Sequence, residues 1–435
     1  MKTNFTDAQM GASAIKIAND ILRKCVHCGF CLATCPTYVI LGDELDSPRG
    51  RIYQIRDMLE KDLSGKITKE EKAAKHIDRC LSCLSCMTTC PSGVDYMHLV
   101  DHARTVVEKN HARPLPEILL RKILATVLPN PKLFRLSLIV ARLIRPIASH
   151  LPGRLRVLVE MAPKHIAPQS PVDVPAVNKA VGGKKLRVGL MPGCAQKTLN
   201  PDINEATVRL LTRLGAEVVV VEGVGCCGAL VHHMGMEEKA LTQARQNIAA
   251  WMGEINRGGL DAIVINASGC GTTLKDYGYM LKNDTEWAAS AAKVSSLSRD
   301  ISEILLEMGT DVIASKLIGI SKKPVVAYHS ACSMQHGQNL KTQPVELLQV
   351  AGFEVREPKE PHLCCGSAGT YNIMQPELAN KLGKRKMENI SATNPDIVAT
   401  GNIGCMVQLG NHGNVPVVHT VQLLDWATGG PKPEI

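Results

Sequence analysis

The chain has 435 residues, enough for two or three domains, with 45% hydrophobic but only 3% aromatic residues and a formal charge of +9. That charge is mild for the length, and no basic block carries interleaved aromatics, which argues against nucleic-acid binding. The longest stretch free of Asp, Glu, Lys and Arg, 397–424, is broken by Asn, Gln, His and Gly residues, so no transmembrane helix is expected.

Residues 6–24 place Ala14, Ile15, Ile17, Ala18, Ile21 and Leu22 at a roughly helical period and predict a helix. The stretch Met1 to Asp20 is polar and contains acids, unlike a signal peptide. The helix leads into Cys25-x-x-Cys28-x-x-Cys31-x-x-x-Cys35-Pro36, and the same spacing returns at Cys80-x-x-Cys83-x-x-Cys86-x-x-x-Cys90-Pro91. Such runs are the signature of a pair of [4Fe–4S] clusters, in which the fourth cysteine of each run crosses to the other cluster. The expected sets are Cys25, Cys28, Cys31 and Cys90 for one cluster, and Cys80, Cys83, Cys86 and Cys35 for the second. Zinc takes four ligands and has no use for this seven-then-four spacing. With sixteen cysteines in a long chain, metal and a reducing compartment are expected rather than a disulfide framework.

Between the runs lie 44 residues, Pro36 to Arg79, that read as helical. Ser47-Pro48 starts one helix, Ile52, Ile55 and Leu59 share its face, and Gly65 ends it. A second runs from about Thr68 to Asp78. Ala33, Thr34, Ser82, Ser85, Thr88 and Thr89 are candidates to tune cluster potentials by burial and hydrogen bonding. Arg49, Arg51 and Arg79 are candidates to offset cluster charge, although a charge on such a surface is ordinarily solvated.

Residues 111–160 hold nine Lys or Arg against Glu117 and Glu160. The segment from Leu133 to Arg145 reads as a buried connecting helix whose arginines snorkel or face a partner subunit, the rival reading being a peripheral contact with an anionic bilayer. Pro163, Pro168, Pro171 and Pro175 mark a linker.

From Lys184 onward the chain repeats itself. Strand Leu186–Met191, Cys194, helix Glu205–Leu214, strand Glu217–Val221, Cys226-Cys227-Gly228, helix Glu237–Trp251, strand Ala262–Ile265 and Cys270 form one copy. Strand Pro324–Tyr328, Cys332, helix Val345–Val350, strand Phe353–Val355, Cys364-Cys365-Gly366, helix Pro376–Ile390, strand Ile397–Ala399 and Cys405 form the other. In both copies 31 residues separate the first cysteine from the pair, and agreement of spacing and element order marks a duplication. Alternating strands and helices predict a parallel sheet, with each cysteine at the carboxyl edge where such sheets place ligands. Adjacent cysteines reach one metal only from an irregular loop, for which Gly225, Gly228 and Gly366 supply freedom. These eight cysteines are candidates for a further iron–sulfur cluster, a zinc site or a redox-active thiol set. His232, His233, His329, His336 and His362 lie nearby and are expected to be structural or surface residues.

The fold class is therefore α + α/β: a helical two-cluster ferredoxin domain (1–110), a basic helical segment and linker (111–183), and two cysteine-rich domains (184–320 and 321–435). This organisation resembles the iron–sulfur subunits of respiratory flavin dehydrogenases and heterodisulfide reductases, and within them those of bacterial glycolate oxidases. The likeness rests on Cys25-Val26-His27-Cys28-Gly29-Phe30-Cys31, Leu41-Gly42-Asp43-Glu44-Leu45-Asp46, Pro48-Arg49-Gly50-Arg51-Ile52-Tyr53, Ala267-Ser268-Gly269-Cys270-Gly271 and His362-Leu363-Cys364-Cys365-Gly366-Ser367-Ala368-Gly369-Thr370-Tyr371. It implies a chain that conducts electrons from a separate FAD subunit, where glycolate becomes glyoxylate, to a respiratory quinone, in the cytoplasm on the inner face of the membrane. The equivalent subunit of a lactate or anaerobic glycerol-3-phosphate dehydrogenase, or a heterodisulfide-reductase-like enzyme, is the alternative. No G-x-G-x-x-G follows a strand, in keeping with a flavin carried on another chain.

Overall fold

The computed structural model describes residues 1–62, 71–151, 153–163 and 165–434. Gly65 and Thr68, expected to bound two helices, lie outside the described residues. The amino-terminal module is helical. Its first helix divides at Gly11 into Asp7–Met10, closed by a Thr6/Gln9 capping box, and Ser13–Lys24. Helices Pro48–Asp62, Glu71–Asp78 and Tyr96–Asn110 complete the module. Ile15, Ile21 and Leu22 meet Ile52, Ile55, Leu59, Ile77, Leu99 and Val100 in one core, the apolar stripes read from the sequence.

Three helical pieces follow, Leu115–Val127, Pro131–Ile144 and Gly153–Glu160. Helix Pro131–Ile144 is not a buried connector. Phe134 and Leu138 turn inward, while Leu133, Leu136, Ile139, Val140 and Leu143 are exposed. Some of the segment's arginines are internal: Arg113 joins Asp78, Glu108 and Glu117, and Arg145 donates to the Ala162 carbonyl. Within the proline-rich stretch, Pro171–Asp173 forms a 3-10 turn whose buried Asp173 accepts from Asn204 at 2.7 Å.

Two sheets carry the repeats. Strands β1 (Ala176–Asn178), β2 (Leu186–Met191), β3 (Ala216–Val220), β4 (Ala262–Ile265) and β5 (Ser298–Asp300) lie in the order β1-β3-β2-β4-β5. Strands β6 (Val326–Tyr328), β7 (Val355–Arg356), β8 (Ile397–Thr400) and β9 (Val417–His419) lie in the order β7-β6-β8-β9. Apart from the antiparallel edge strand β1, every pairing is parallel. Val188 pairs with Val218 and Ala262, and its counterpart Val326 pairs with Val355 and Ile397, so the two copies share topology and register. Both faces are covered by helices, which is why these strands read as continuous apolar runs. The repeats join where Ser268 and Ser333 hydroxyls lie 2.7 Å apart and the Ser268 amide donates to the Gly401 carbonyl.

The helical module touches both repeats. Helix Tyr96–Asn110 faces the first, where His98 is held between Asp95 and Asp276 (2.9 Å to the latter) and stacks on Tyr279. The second cysteine run faces the second repeat through Thr88 to His336 (2.7 Å) and the Tyr371 hydroxyl to the Arg79 carbonyl (3.0 Å).

Burial alone would lower the His98 pKa, but Asp276 and Asp95 outweigh it and raise it to about 9. Asp95 is correspondingly held low, whereas burial keeps Asp276 above the usual carboxylate range. Because the folded value exceeds the ordinary 6.5, the stabilisation is fully present below about pH 6.5 and fades as pH rises through about 9. The melting-temperature gap between the wild-type chain and His98→Ala is therefore expected to be widest near pH 6 and to narrow towards pH 10. A gap independent of pH would show that the clamp is uncharged.

Candidate functional site: four cysteine sets

The two amino-terminal loops share one backbone path. His27 and Gly29 flank Cys28 with φ of 57° and 84°, and Ser82 and Leu84 flank Cys83 with φ of 48° and 62°. A left-handed leucine is strained, and it is tolerated where the loop must turn its thiols inward. Cys25, Cys28, Cys31 and Cys90 line one small cavity together with Val26, Phe30, Ile52, Pro91 and Val94; Cys86 reaches its wall. Cys83 is buried, and its pKa is driven up by that burial, then by Cys364 and Cys35. Cys86 is likewise raised by burial and then by Cys83, Cys80 and Cys35. Cys90 thus sits with the first run and Cys35 with the second, across the chain order. The residues fit iron–sulfur ligation: the eight thiols of the two runs gather together, and the buried Ser85 hydroxyl between Cys83 and Cys86 has no partner in the protein.

All sixteen cysteines are free thiols. The carboxyl-terminal eight gather in two further sets. In the first repeat the Cys194 and Cys226 sulfurs lie 3.6 Å apart, and Cys227 and Cys270 pack in one apolar cluster. In the second, Cys332 and Cys364 lie 3.6 Å apart and Cys365 and Cys405 3.5 Å apart. Each pair leaves its loop through a left-handed glycine, Gly228 at φ 90° and Gly366 at φ 91°. A Cβ on either would press on the next helix, 3.1 Å from the Ala240 carbonyl oxygen and 2.8 Å from that of Ala379. Gly225 is not left-handed, so its freedom is not what the turn uses.

Residues 21–94 match the family model of a 4Fe-4S dicluster domain, and residues 188–275 and 326–410 each match that of a cysteine-rich domain. Over 427 residues the chain is 42% identical to the glycolate oxidase iron-sulfur subunit of Escherichia coli (strain K12), covering 98% of this chain and 99% of that one. The chain belongs to the glycolate oxidase iron–sulfur subunit family. It is also 32% identical to the probable glycolate oxidase iron-sulfur subunit of Bacillus subtilis (strain 168), over 94% of each chain. A crystal structure of a hypothetical protein from Helicobacter pylori has a similar fold, with a TM-score of 0.53 at 10% identity, covering 98% of this chain and 74% of that one.

A 4Fe-4S dicluster-binding domain is therefore present, and the groups around its thiols differ from those expected of a family member read by sequence. Thr34, Thr88 and Thr89 hydroxyls donate to backbone carbonyls instead of sulfur. Groups that reach sulfur include Thr37 to Cys35 (3.2 Å), Tyr96 to Cys80 (3.8 Å), Arg51 to Cys35 (3.8 Å), the Ser82 amide to Cys80 (3.5 Å) and His27 to Cys25 (3.6 Å). Arg51 is buried, not solvated. It donates to Thr37, the His76 carbonyl and Asp46, and Asp46 also takes His76 and Arg79 at 2.9 and 2.8 Å. Burial alone would lower the Arg51 pKa, but Cys80, Tyr96, Cys35 and Asp46 outweigh it and hold it raised. Gly50 lets this knot close, since a Cβ there would lie 1.9 Å from the Glu44 carbonyl oxygen. The sequence signal for the knot was Asp46 and Arg51 inside the quoted motif, five residues apart, but their burial was not legible.

Arg49, partly exposed, bonds Glu44 and the His27 carbonyl. Of the nearby histidines, His232 pairs with Asp101 at 3.2 Å and His336 sits between Thr88 and the His362 carbonyl, both structural as expected. His329 differs: it is buried among the second-repeat thiols. Replacing Arg51 by Met removes the buried cation that Asp46, Thr37 and the Cys35 sulfur share and leaves Arg79 as the arginine on Asp46. Breaking a buried pair costs about 3 kcal/mol or more, so chemical denaturation of Arg51→Met is expected to show a markedly lower midpoint than wild type, and an unchanged midpoint would rule out the knot as a source of stability.

Proposed function

We propose that this chain is the electron-conducting subunit of a glycolate oxidase-type dehydrogenase, taking electrons from a separate FAD subunit and passing them to respiratory quinone. The observation that carries the reading is the pairing of two crossed cysteine sets with full-length similarity to the glycolate oxidase iron–sulfur subunits. Cys25, Cys28, Cys31 and Cys90 would hold one [4Fe–4S] cluster and Cys80, Cys83, Cys86 and Cys35 the other. When bound, such clusters supply one-electron transfer at potentials set by burial and by hydrogen bonds to sulfur. The chain's own residues divide that task. Tyr96 and Arg51 donate to the sulfurs of the second set and stabilise its more negative state, while the Thr37 hydroxyl, 3.2 Å from the Cys35 sulfur, donates to the Asp46 carbonyl. Cys28 is exposed beside Val26 and Phe30, 67% and 63% exposed, an apolar patch suited to a flavoprotein surface. The second set is buried against the second repeat, so the two sets face different neighbours. The chain binds no glycolate; substrate choice belongs to the partner.

In Cys28→Ser the iron content of the purified chain is expected to fall from about eight to about four per chain, with glycolate still reducing the partner's flavin while quinone reduction stops. Quinone reduction at the wild-type rate in that variant would reject the ligand set.

The helical layer 115–160 supports a peripheral membrane contact. Among the described residues no helix is long and apolar enough to cross a membrane. The layer nevertheless exposes Leu136 and Leu143 at 58% and 74% in a net basic segment, and an apolar cavity of about 320 Å³ opens beneath it, lined by Val127, Phe134, Leu138, Ile144, Leu155 and Val159. The wild-type chain is expected to sediment with anionic phospholipid vesicles and Leu136→Glu/Leu143→Glu to stay in solution. Equal partitioning of the two would assign the layer to a protein partner.

A further inference from the structure

We infer that the second repeat holds a single zinc ion through His329, Cys365 and Cys405. The inference rests on reading the second-repeat cysteines as metal ligands and adds a nitrogen ligand that the cysteine pattern does not contain. His329 follows strand β6 at the carboxyl edge of the sheet, is 2% exposed, and its Nε2 has no hydrogen-bond partner in the protein. A buried ring nitrogen left without a partner marks an absent ligand or a real defect. Its neighbours decide which. One ligand atom each from His329, Cys365 and Cys405 lie within 4.8 Å of one another, and all three residues are buried. Zinc bonds of about 2.3 Å to sulfur and 2.0–2.1 Å to nitrogen, at tetrahedral angles, set neighbouring ligand atoms roughly 3.5–3.8 Å apart, and the Cys365 and Cys405 sulfurs lie 3.5 Å apart. Two thiolates and an imidazole supply three of the four positions of a tetrahedral zinc ion, the fourth being left to water; Cys364, whose sulfur lies 3.6 Å from that of Cys332, stands outside the trio.

The first repeat acts as an internal control. The residue three before Cys194 is Met191, where the second repeat has His329 three before Cys332. Met191 ends strand β2 and His329 directly follows β6, and Met191 is equally buried. The difference extends to the helix behind the cysteine pair. Gly228 packs on Ala240 as Gly366 packs on Ala379, which aligns Asn247 with Lys386. Asn247 is neutral and bonds the Cys226 carbonyl and the Gly225 amide. Lys386 is a buried cation whose ammonium donates to the Glu360 carbonyl, with Cys365, Cys364 and Cys332 facing it. Lys386 thus brings a positive charge to the thiols of this set. Zinc has no redox chemistry, so the site is a fixed cation beside Cys83 instead of a further electron carrier.

The test uses the full-length chain, purified without air and analysed for zinc and iron, and a cobalt-grown preparation for absorption spectroscopy. About one zinc per chain is expected, with thiolate-to-cobalt charge transfer in the cobalt form. His329→Ala is expected to lose zinc to a chelator at least tenfold more readily while the iron stays bound, and Met191→Ala to retain zinc as wild type does. His329→Cys, which offers a thiolate in place of the imidazole, is expected to keep zinc and shift the cobalt spectrum, showing that the site is intact. Zinc retention by His329→Ala equal to wild type overturns the proposal. So does a wild-type chain with about twelve irons and no zinc. Iron far below eight with zinc intact would overturn the electron-transfer reading while upholding this one.

Discussion

Thiols gathered away from water repel one another once ionised, and the chain meets that repulsion with a buried cation at two of its four cysteine sets. At Cys35 and Cys80 the cation is Arg51, itself fixed by Asp46, Thr37 and the His76 carbonyl. At the second repeat it is Lys386. A buried arginine beside sulfur is stable only if every remaining donor is satisfied, which accounts for the density of bonds around Asp46. Gly50, the Ser47-Pro48 helix start and the short 3-10 turn Glu44–Asp46 are geometric consequences of closing that knot.

The same constraint explains how the module sits on the repeats. Its second cysteine run is covered by Leu363, Cys364, Tyr371, Leu378 and Leu382 of the second repeat, forming one buried cluster with Leu81 and Cys83. Excluding water there strengthens the hydrogen bonds to sulfur. The first repeat contributes polar clamps instead, His98 to Asp276 and His232 to Asp101. One repeat therefore buries a thiol set, and the other holds the module in place through ion pairs.

Features fixed by local chemistry were legible in the sequence. Ligand spacing within each cysteine run is a short-range requirement, and strands β2, β4 and β8 are runs of apolar residues long enough to read. Strand β5 (Ser-Arg-Asp) has no apolar residue, and β1 and β9 have three residues each, so periodicity has nothing to act on; their pairing is decided by neighbours already in place. The division at Gly11 also escaped, because the apolar spacing continues across it. Arg51 is the instructive miss. A charged residue in a ferredoxin-like motif is ordinarily solvated, and only the meeting of helix Pro48–Asp62 with both cysteine loops buries this one. Thr37 and Tyr96 were missed for the same reason: each reaches a sulfur that the fold, not the spacing, brings near.

The duplication shows how far a shared backbone constrains chemistry. Both repeats keep the strand order, the 31-residue gap, the left-handed glycine and the 3.6 Å contact between the first cysteine and the pair. A glycine at that turn cannot change without pushing the following helix away, so the loop is held by packing whatever it binds. Side chains at the carboxyl end of the first strand and on the inner face of the following helix carry no such restriction. At those positions Met191 and Asn247 of one copy stand against His329 and Lys386 of the other. The copy that gained the imidazole and the cation is also the one packed on Cys83. Divergence thus fell where a change of ligand or charge acts on the neighbouring thiols while the scaffold stays the same.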